Sequence, residues 1–198
     1  MRVIAGIYRS RILNSLKGLE LRPTSDRLRE TLFNVLGSGV AGSRFIDLFA
    51  GTGAIGIEAL SRGAAEVVFV ENHAPAATLI RRNLALLGIR QGTTVLANDA
   101  IRGLQVLASG KKRVGSPYHY VFLDPPYAAA KDYARVLESL GLGNLLAPGG
   151  VVVAEHRRNF ELPDETGALE CYRVLKQGDA ALSFYRRAAA AGKNDPAP

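Results

Sequence analysis

Residues 120–127 read Tyr-Val-Phe-Leu-Asp-Pro-Pro-Tyr, an apolar run that ends in a carboxylate, two prolines and an aromatic ring. Two successive prolines lock φ and remove two N–H donors, so no regular element passes through them. One reading is a stiff turn that closes a buried strand. The chemical reading is a rigid pair of acceptors. The Asp124 carboxylate and the Pro125 carbonyl can both take N–H bonds from an exocyclic amine, whose lone pair is otherwise spread into its ring. Bonded in that way, the lone pair can be aimed at a methyl group, and the rigidity of Pro125 and Pro126 preserves the orientational advantage. Tyr127 can stack on the flat base, a contact worth about 1–3 kcal/mol. A base held like this must leave its helix or already lie in a loop.

A methyl donor needs its own site, and residues 47–56, DLFAGTGAIG, have the makings of one. Gly51, Gly53 and Gly56 match G-x-G-x-x-G between a strand and a helix, where the backbone turns tightly and approaches a ligand at a helix N-terminus. Glu71, followed by Asn72, ends the next strand twenty residues after Gly51, where a carboxylate can grip the two hydroxyls of a ribose. Both features suit NAD and S-adenosylmethionine alike. Asp47 separates them, because a carboxylate at the end of the first strand is a poor neighbour for a pyrophosphate and a good one for a cation. S-adenosylmethionine carries an ammonium and a sulfonium. After the third strand, in Asn98-Asp99-Ala100, Asp99 can accept from an adenine amino group or cap a helix.

These residues need a scaffold that brings strand ends together. From residue 44 onward strand-like and helix-like segments alternate: strands at 45–49, 66–70, 94–97, 118–123 and 151–154, helices at 54–62, 74–87, 101–107 and 131–140. Strands without polar alternation, joined by helices, predict a doubly wound, mostly parallel α/β sheet covered on both faces. Pro148-Gly149-Gly150 reads as a turn before the fifth strand. Residues 171–176 and 181–185 bracket Gln177-Gly178-Asp179 and predict an antiparallel C-terminal edge hairpin, for seven strands in all. Ahead of the sheet, 3–8 and 11–13 predict a small β-hairpin. Thr24 or Ser25 caps a helix at 26–36, with Leu28, Leu32, Val35 and Leu36 on one face and Gly37 and Gly39 at its end. The expected organisation is an N-terminal hairpin and capping helix at 1–40, a catalytic domain at 41–187 and a disordered tail at 188–198.

A chain of 198 residues with 47% hydrophobic and 22% charged residues can bury a sizeable core. No apolar run is long enough to span a bilayer and the start lacks a signal-peptide core, which points to the cytoplasm and away from membranes. The single cysteine excludes an internal disulfide and a cysteine-based metal cluster, and no metal site is implied. A net charge of +7 suggests a polyanionic partner. Residues 1–35 carry more than half of it, with Arg2, Arg9, Arg11, Lys17, Arg22, Arg27 and Arg29 against Glu20, Asp26 and Glu30. Arginine outnumbers lysine six to one there, which favours bidentate phosphate contacts. His156-Arg157-Arg158 reads as a further basic rim.

The order DLFAGTGAIGIEALSRGA, VFVEN, NDA and FLDPPY resembles the class I (Rossmann-like) methyltransferases with a D-P-P-Y motif. RVIAG at 2–6, LRPTSDRLRETLFNVL at 21–36 and ALSFYRR at 181–187 resemble the RsmD family more closely, and the likeness runs from about residue 2 to 187. That resemblance implies an S-adenosylmethionine-dependent enzyme that methylates the N2 of a guanine in small-subunit ribosomal RNA, acting as a monomer on an assembled or assembling subunit. It places Asp47, Gly51 and Gly53 at the methionine end, Glu71 at the ribose, Asp99 on the adenine side, and Thr24, Ser25 and Arg27 over the cofactor, with Thr52, Asn72 and Ala100 as further cofactor-binding residues. Asp124, Pro125, Pro126 and Tyr127 fall at the target amine, and Arg2, Arg9, Arg11 and Arg157 at RNA. Ser10 stands where that family's hairpin calls for a glycine. The alternative is an adenine-N6 methyltransferase acting on DNA or RNA, although twenty-four residues between Asp99 and Asp124 leave little room for a target-recognition insertion. An NAD-linked oxidoreductase is disfavoured by Asp47. A non-catalytic RNA-binding module would have no use for the carboxylates.

Overall fold

The apolar runs become adjacent parallel strands. In the computed structural model, which describes residues 1–15, 24–109, 117–126 and 130–188, β1 (Arg44–Leu48), β2 (Glu66–Val70), β3 (Thr93–Leu96), β4 (Tyr118–Leu123) and β5 (Leu146–Arg157) lie in the spatial order 3-2-1-4-5. After the first residue, every residue of β1 and β2 is buried, which is why neither run alternates. Helices α2 (Ala54–Ser61), α3 (Ala74–Leu86), α4 (Ala100–Ala108) and α5 (Ala130–Leu142) link successive strands. The chain builds outward from β1 to β3 and then returns to lay β4 on the other side of β1, so the strand order reverses between β1 and β4.

Alternate residues of each strand feed two cores. Phe45, Phe69, Phe122, Val153 and Phe184 face one side, with Leu28, Leu32 and Phe33 of α1 (Asp26–Leu36) and with α2 and α3. Ile46, Leu48, Val68, Val121, Leu123 and Ala154 face the other, against Leu104 and Leu107 of α4 and Val136, Leu137 and Leu140 of α5. Burying each large apolar side chain contributes about 1.5–3 kcal/mol.

Among the described residues the sheet has eight strands, one more than expected. β7 (Leu169–Gln177) and β8 (Ala180–Arg187) form the antiparallel hairpin, turning at Gly178 with φ +58°, and β8 pairs with β5. The additional strand, β6 (Glu165–Thr166), is a two-residue edge pairing with no hydrophobic pattern to reveal it. A second difference lies at Pro148-Gly149-Gly150. Leu146 already pairs with Tyr118, and pairing resumes at Tyr120 and Val151, so the expected turn is a bulge inside β5. The third concerns the N-terminus. The expected hairpin is reduced to a single antiparallel bridge, Arg2 to Ile12, supported by Val3 N–H to Arg11 O at 2.9 Å and Leu13 N–H to Met1 O at 2.9 Å. Ser10 has φ +67° in that turn, a left-handed conformation that glycine adopts at lower cost.

α1 begins where its cap predicts: the Ser25 hydroxyl accepts from Leu28 N–H at 3.1 Å. Its buried face is Leu28, Arg29, Leu32 and Phe33, while Val35 and Leu36 are only half-buried. No helix among the described residues is long and apolar enough to cross a membrane.

Candidate active site

The glycine loop leaves β1 through strained backbone. Phe49 has φ +59°, a conformation that side chains with a Cβ rarely take, and Gly51 and Gly53 follow at +54° and +79°. Gly53 N–H closes the turn on Ala50 O at 2.7 Å and Gly53 caps α2. A Cβ on Gly56 would lie 2.3 Å from the Phe69 ring, so the third glycine lets α2 press against β2. A Cβ on Gly51 would meet nothing nearer than 3.9 Å, which leaves this side of the loop open to a ligand.

Two carboxylates hold the loop from below. Asp47 is buried and its Oδ2 accepts from Gly56 N–H at 2.9 Å. Burial raises its pKa to about 8; the Gly56 bond opposes the rise and the Glu71 charge adds to it. Glu71 is also buried. Its Oε2 accepts from Gly51 N–H at 2.7 Å and its Oε1 from His73 N–H at 2.8 Å, which couples the end of β2 to the loop. Each oxygen retains a second acceptor site for a hydroxyl. Asn72 is exposed beside it. Asp99 caps α4, accepting from Arg102 N–H at 3.0 Å, and Ala100 is buried as the first residue of that helix. Asp47, Gly51–Gly53, Glu71 and Asp99 therefore follow one another along the carboxyl ends of β1, β2 and β3.

Asp124 completes the row. Leu48 of β1 pairs with Leu123 of β4, so the glycine loop and Asp124 leave neighbouring strands at the point of reversal, where open α/β sheets take ligands. Asp124 is half-buried, Pro125 buried and Pro126 exposed; Tyr127 lies outside the described residues. Thr24, just ahead of α1, reaches the end of β5, where its hydroxyl donates to Glu155 Oε2 at 2.7 Å. Arg27 is exposed on the first turn of α1. Two hollows, of about 460 and 420 Å3, share no residue with the glycine loop.

Residues 1–186 match the family described as Conserved hypothetical protein 95, and the chain is 33% identical over 191 residues to Ribosomal RNA small subunit methyltransferase D of Escherichia coli K12, covering 96% of this chain and 91% of that one. This chain belongs to the RsmD family of methyltransferases. It is also 38% identical over 187 residues to YlbH of Bacillus subtilis, provisionally named an rRNA methyltransferase, covering 94% of this chain and 99% of that protein. The structure of yhhF from Escherichia coli, provisionally named a methyltransferase, superposes with a TM-score of 0.81 at 29% identity, covering 96% and 99% of the two chains. The fold is that of the class I methyltransferases.

The N-terminal segment of this RsmD-family chain docks on α2 through buried polar groups that sequence reasoning missed. Glu58, fully buried in α2, accepts from Ile4 N–H at 2.8 Å, Ala5 N–H at 3.0 Å and Arg62 Nε at 2.8 Å. Ser61 Oγ accepts from Tyr8 N–H at 3.0 Å, and a Cβ on Gly6 would collide with the Ser61 carbonyl. Asn83 of α3 binds both Asn14 backbone groups and donates to Thr52 O at 3.1 Å. A lone acid within the apolar stretch AIGIEALS was the available signal for Glu58.

Two readings of the basic residues need correction. Arg29 is not a surface cation. It is fully buried, donates to Arg2 O at 2.6 Å and Asp26 Oδ1 at 2.9 Å, and approaches Glu58 to 3.8 Å, while desolvation lowers its pKa. His156 is not part of a rim. The alternation of β5 turns it inward, 3% exposed, with Nε2 2.8 Å from Ser183 Oγ, and burial lowers its pKa. Arg2, Arg9, Arg11 and Arg157 are exposed, and Arg2 pairs with Asp26 at 3.6 Å.

Proposed function

We propose that this chain transfers a methyl group from S-adenosylmethionine to the exocyclic N2 of a guanine in small-subunit ribosomal RNA. The observation that carries the reading is the adjacency of β1 and β4, which sets an open glycine loop with two buried carboxylates beside Asp124-Pro125. The fit to the cofactor rests on charge. Asp47 is a carboxyl whose pKa is raised by burial and by the Glu71 charge, and a methionine ammonium would favour its ionised form. Glu71, held by two amide bonds, would take the ribose hydroxyls, with Asn72 beside it, and Asp99 and Ala100 would meet the adenine. When bound, the sulfonium supplies an electrophilic methyl carbon.

The chain's own residues then position the acceptor. Asp124 and the Pro125 carbonyl accept the two N–H bonds of the amine and turn its lone pair toward the methyl carbon. Nitrogen gains a carbon and must lose a proton, for which the Asp124 carboxylate is the acceptor at hand. Tyr127 stacks on the base. Residues 1–40 form the RNA-facing part and 41–187 the catalytic part. Arg2, Arg9, Arg11 and Arg157 would contact phosphates of an assembled or assembling subunit, approached by a cytoplasmic monomer.

The decisive experiment incubates the protein with labelled S-adenosylmethionine and small ribosomal subunits from cells that lack the enzyme, then maps the modified nucleotide. N2-methylguanine at one position is expected. Label on adenine N6, or on DNA alone, would replace this reading with the alternative.

A further inference from the structure

Glu155 is a buried carboxylate with no part in the mechanism above, yet its position bears on it. β4 and β5 are parallel neighbours whose pairing ends at Leu123 and Ala154, so the next residues, Asp124 just past β4 and Glu155 within β5, follow side by side. Neighbouring strands lie about 4.8 Å apart. Leu123 and Ala154 face the α4–α5 core, and the alternation of a strand turns the residues after them to the opposite face. That is the face of Phe122, and hence of Asp47, with which Phe122 pairs.

Glu155 is 6% exposed and held at both ends. The buried Tyr133 hydroxyl donates to its backbone carbonyl at 2.7 Å, and the Thr24 hydroxyl to its Oε2 at 2.7 Å. A carboxylate fixed this firmly beside the amine-holding motif can read the ring next to the amine. Guanine presents N1–H adjacent to its 2-amino group, whereas adenine presents a bare N1 lone pair beside its 6-amino group.

We propose that Glu155 is a specificity-determining residue whose carboxylate accepts the N1–H of the target guanine while Asp124 and Pro125 hold N2. The inference rests on the guanine-N2 reading and deepens it. With guanine, the carboxylate gains a charge-assisted hydrogen bond. Adenine, or any base with an unprotonated N1, sets two acceptors against each other, the kind of mismatch that discriminates strongly.

The test uses small-subunit particles reassembled around ribosomal RNA with guanine or 2-aminopurine at the modified position. 2-Aminopurine keeps the 2-amino group but has an acceptor at N1. The wild-type protein should prefer guanine in kcat/KM by about ten- to a hundredfold. Glu155→Gln, which can still accept from Thr24, can turn its amide N–H toward the bare N1, so its preference should fall to near unity or invert. An unchanged ratio, with both substrates slowed alike, would make Glu155 a purely structural anchor and overturn the proposal. Should the variant fail to fold, equal use of the two bases by the wild-type protein would overturn it on its own. Methylation at neither base by the wild-type protein, with label elsewhere, would instead remove the guanine-N2 reading and the inference with it.

Discussion

Asp47 and Glu58 lie eleven residues apart, are both almost wholly buried, and belong to opposite kinds of site. Glu58 is surrounded by donors: two backbone amides of the N-terminal segment, Arg62, and Arg29 at 3.8 Å. Asp47, among the described residues, has one amide bond from Gly56 and the like charge of Glu71 nearby, and its pKa is raised to about 8. Burial alone therefore does not mark a functional carboxylate. The distinction is compensation. The Glu58 charge is answered within the fold, where it fastens the N-terminus to α2; on the function proposed above, Asp47 is answered by the ammonium of the cofactor.

The strongest way to break this contrast is to remove the compensated charge. Glu58→Ala takes one of two carboxylates from the buried Arg29 and frees the Ile4 and Ala5 amides, so about 3–5 kcal/mol of stability should be lost. Chemical denaturation measures this directly, and a loss under about 1 kcal/mol would mean that the network is not a structural tie. The effect should appear in stability, not in chemistry. Asp124→Ala is the converse. It should lower methyl transfer by about a hundred- to a thousandfold while cofactor binding stays near normal, because an orienting hydrogen-bond partner is lost at the reacting amine. Single-turnover rates beside titration calorimetry separate the two outcomes, and unchanged turnover would remove Asp124 from the mechanism.

Much of the crevice was legible because its signals are local. A carboxylate or glycine at the end of an apolar run needs no distant partner to be noticed, and Asp47, Gly51, Glu71 and Asp124 all lie at such ends. Parallel strands were legible because burial on both faces removes alternation. What escaped depends on contacts far apart in sequence: Glu58 to Ile4 across 54 positions, Asn83 to Asn14 across 69 and Thr24 to Glu155 across 131. Arg29 shows the physical reason most clearly. In the helix pattern it is one more exposed cation, and the Arg2 carbonyl, Asp26 and Glu58, brought over by α2, together let it enter the core. Its neighbour Phe33 turns inward to meet Phe45 at 6.3 Å, in place of the half-buried Val35 and Leu36.

pH sharpens the comparison with a smaller effect. The Asp47 carboxyl has an ordinary pKa in the unfolded chain and one of about 8 in the fold, so the folded state holds the proton more tightly. Its contribution to stability is complete below about pH 4 and is lost as pH rises toward 8. Cofactor binding runs the other way, since a cation favours the ionised carboxylate, and affinity for S-adenosylmethionine should rise by up to about tenfold per unit between about pH 6 and 7.5. Asp47→Asn should flatten both curves. Thermal melts of the cofactor-free protein and calorimetry across that range test this, and parallel curves for wild type and variant would show that another group titrates.

The smallest effect separates surface cations from the buried one. Arg9 and Arg11 are exposed on the N-terminal turn, so converting both to alanine should weaken RNA binding and lower the slope of log affinity against log salt by about one to two, the counterion release of two phosphate contacts. Arg29→Met should leave that slope unchanged, because a guanidinium enclosed by Asp26, Glu58 and the Arg2 carbonyl releases no counterions when RNA binds. Its effect should fall on thermal stability instead. A salt slope that responds to Arg29 and ignores Arg9 and Arg11 would reverse the assignment of the two regions, making the buried network the RNA-sensing part and the exposed turn a bystander.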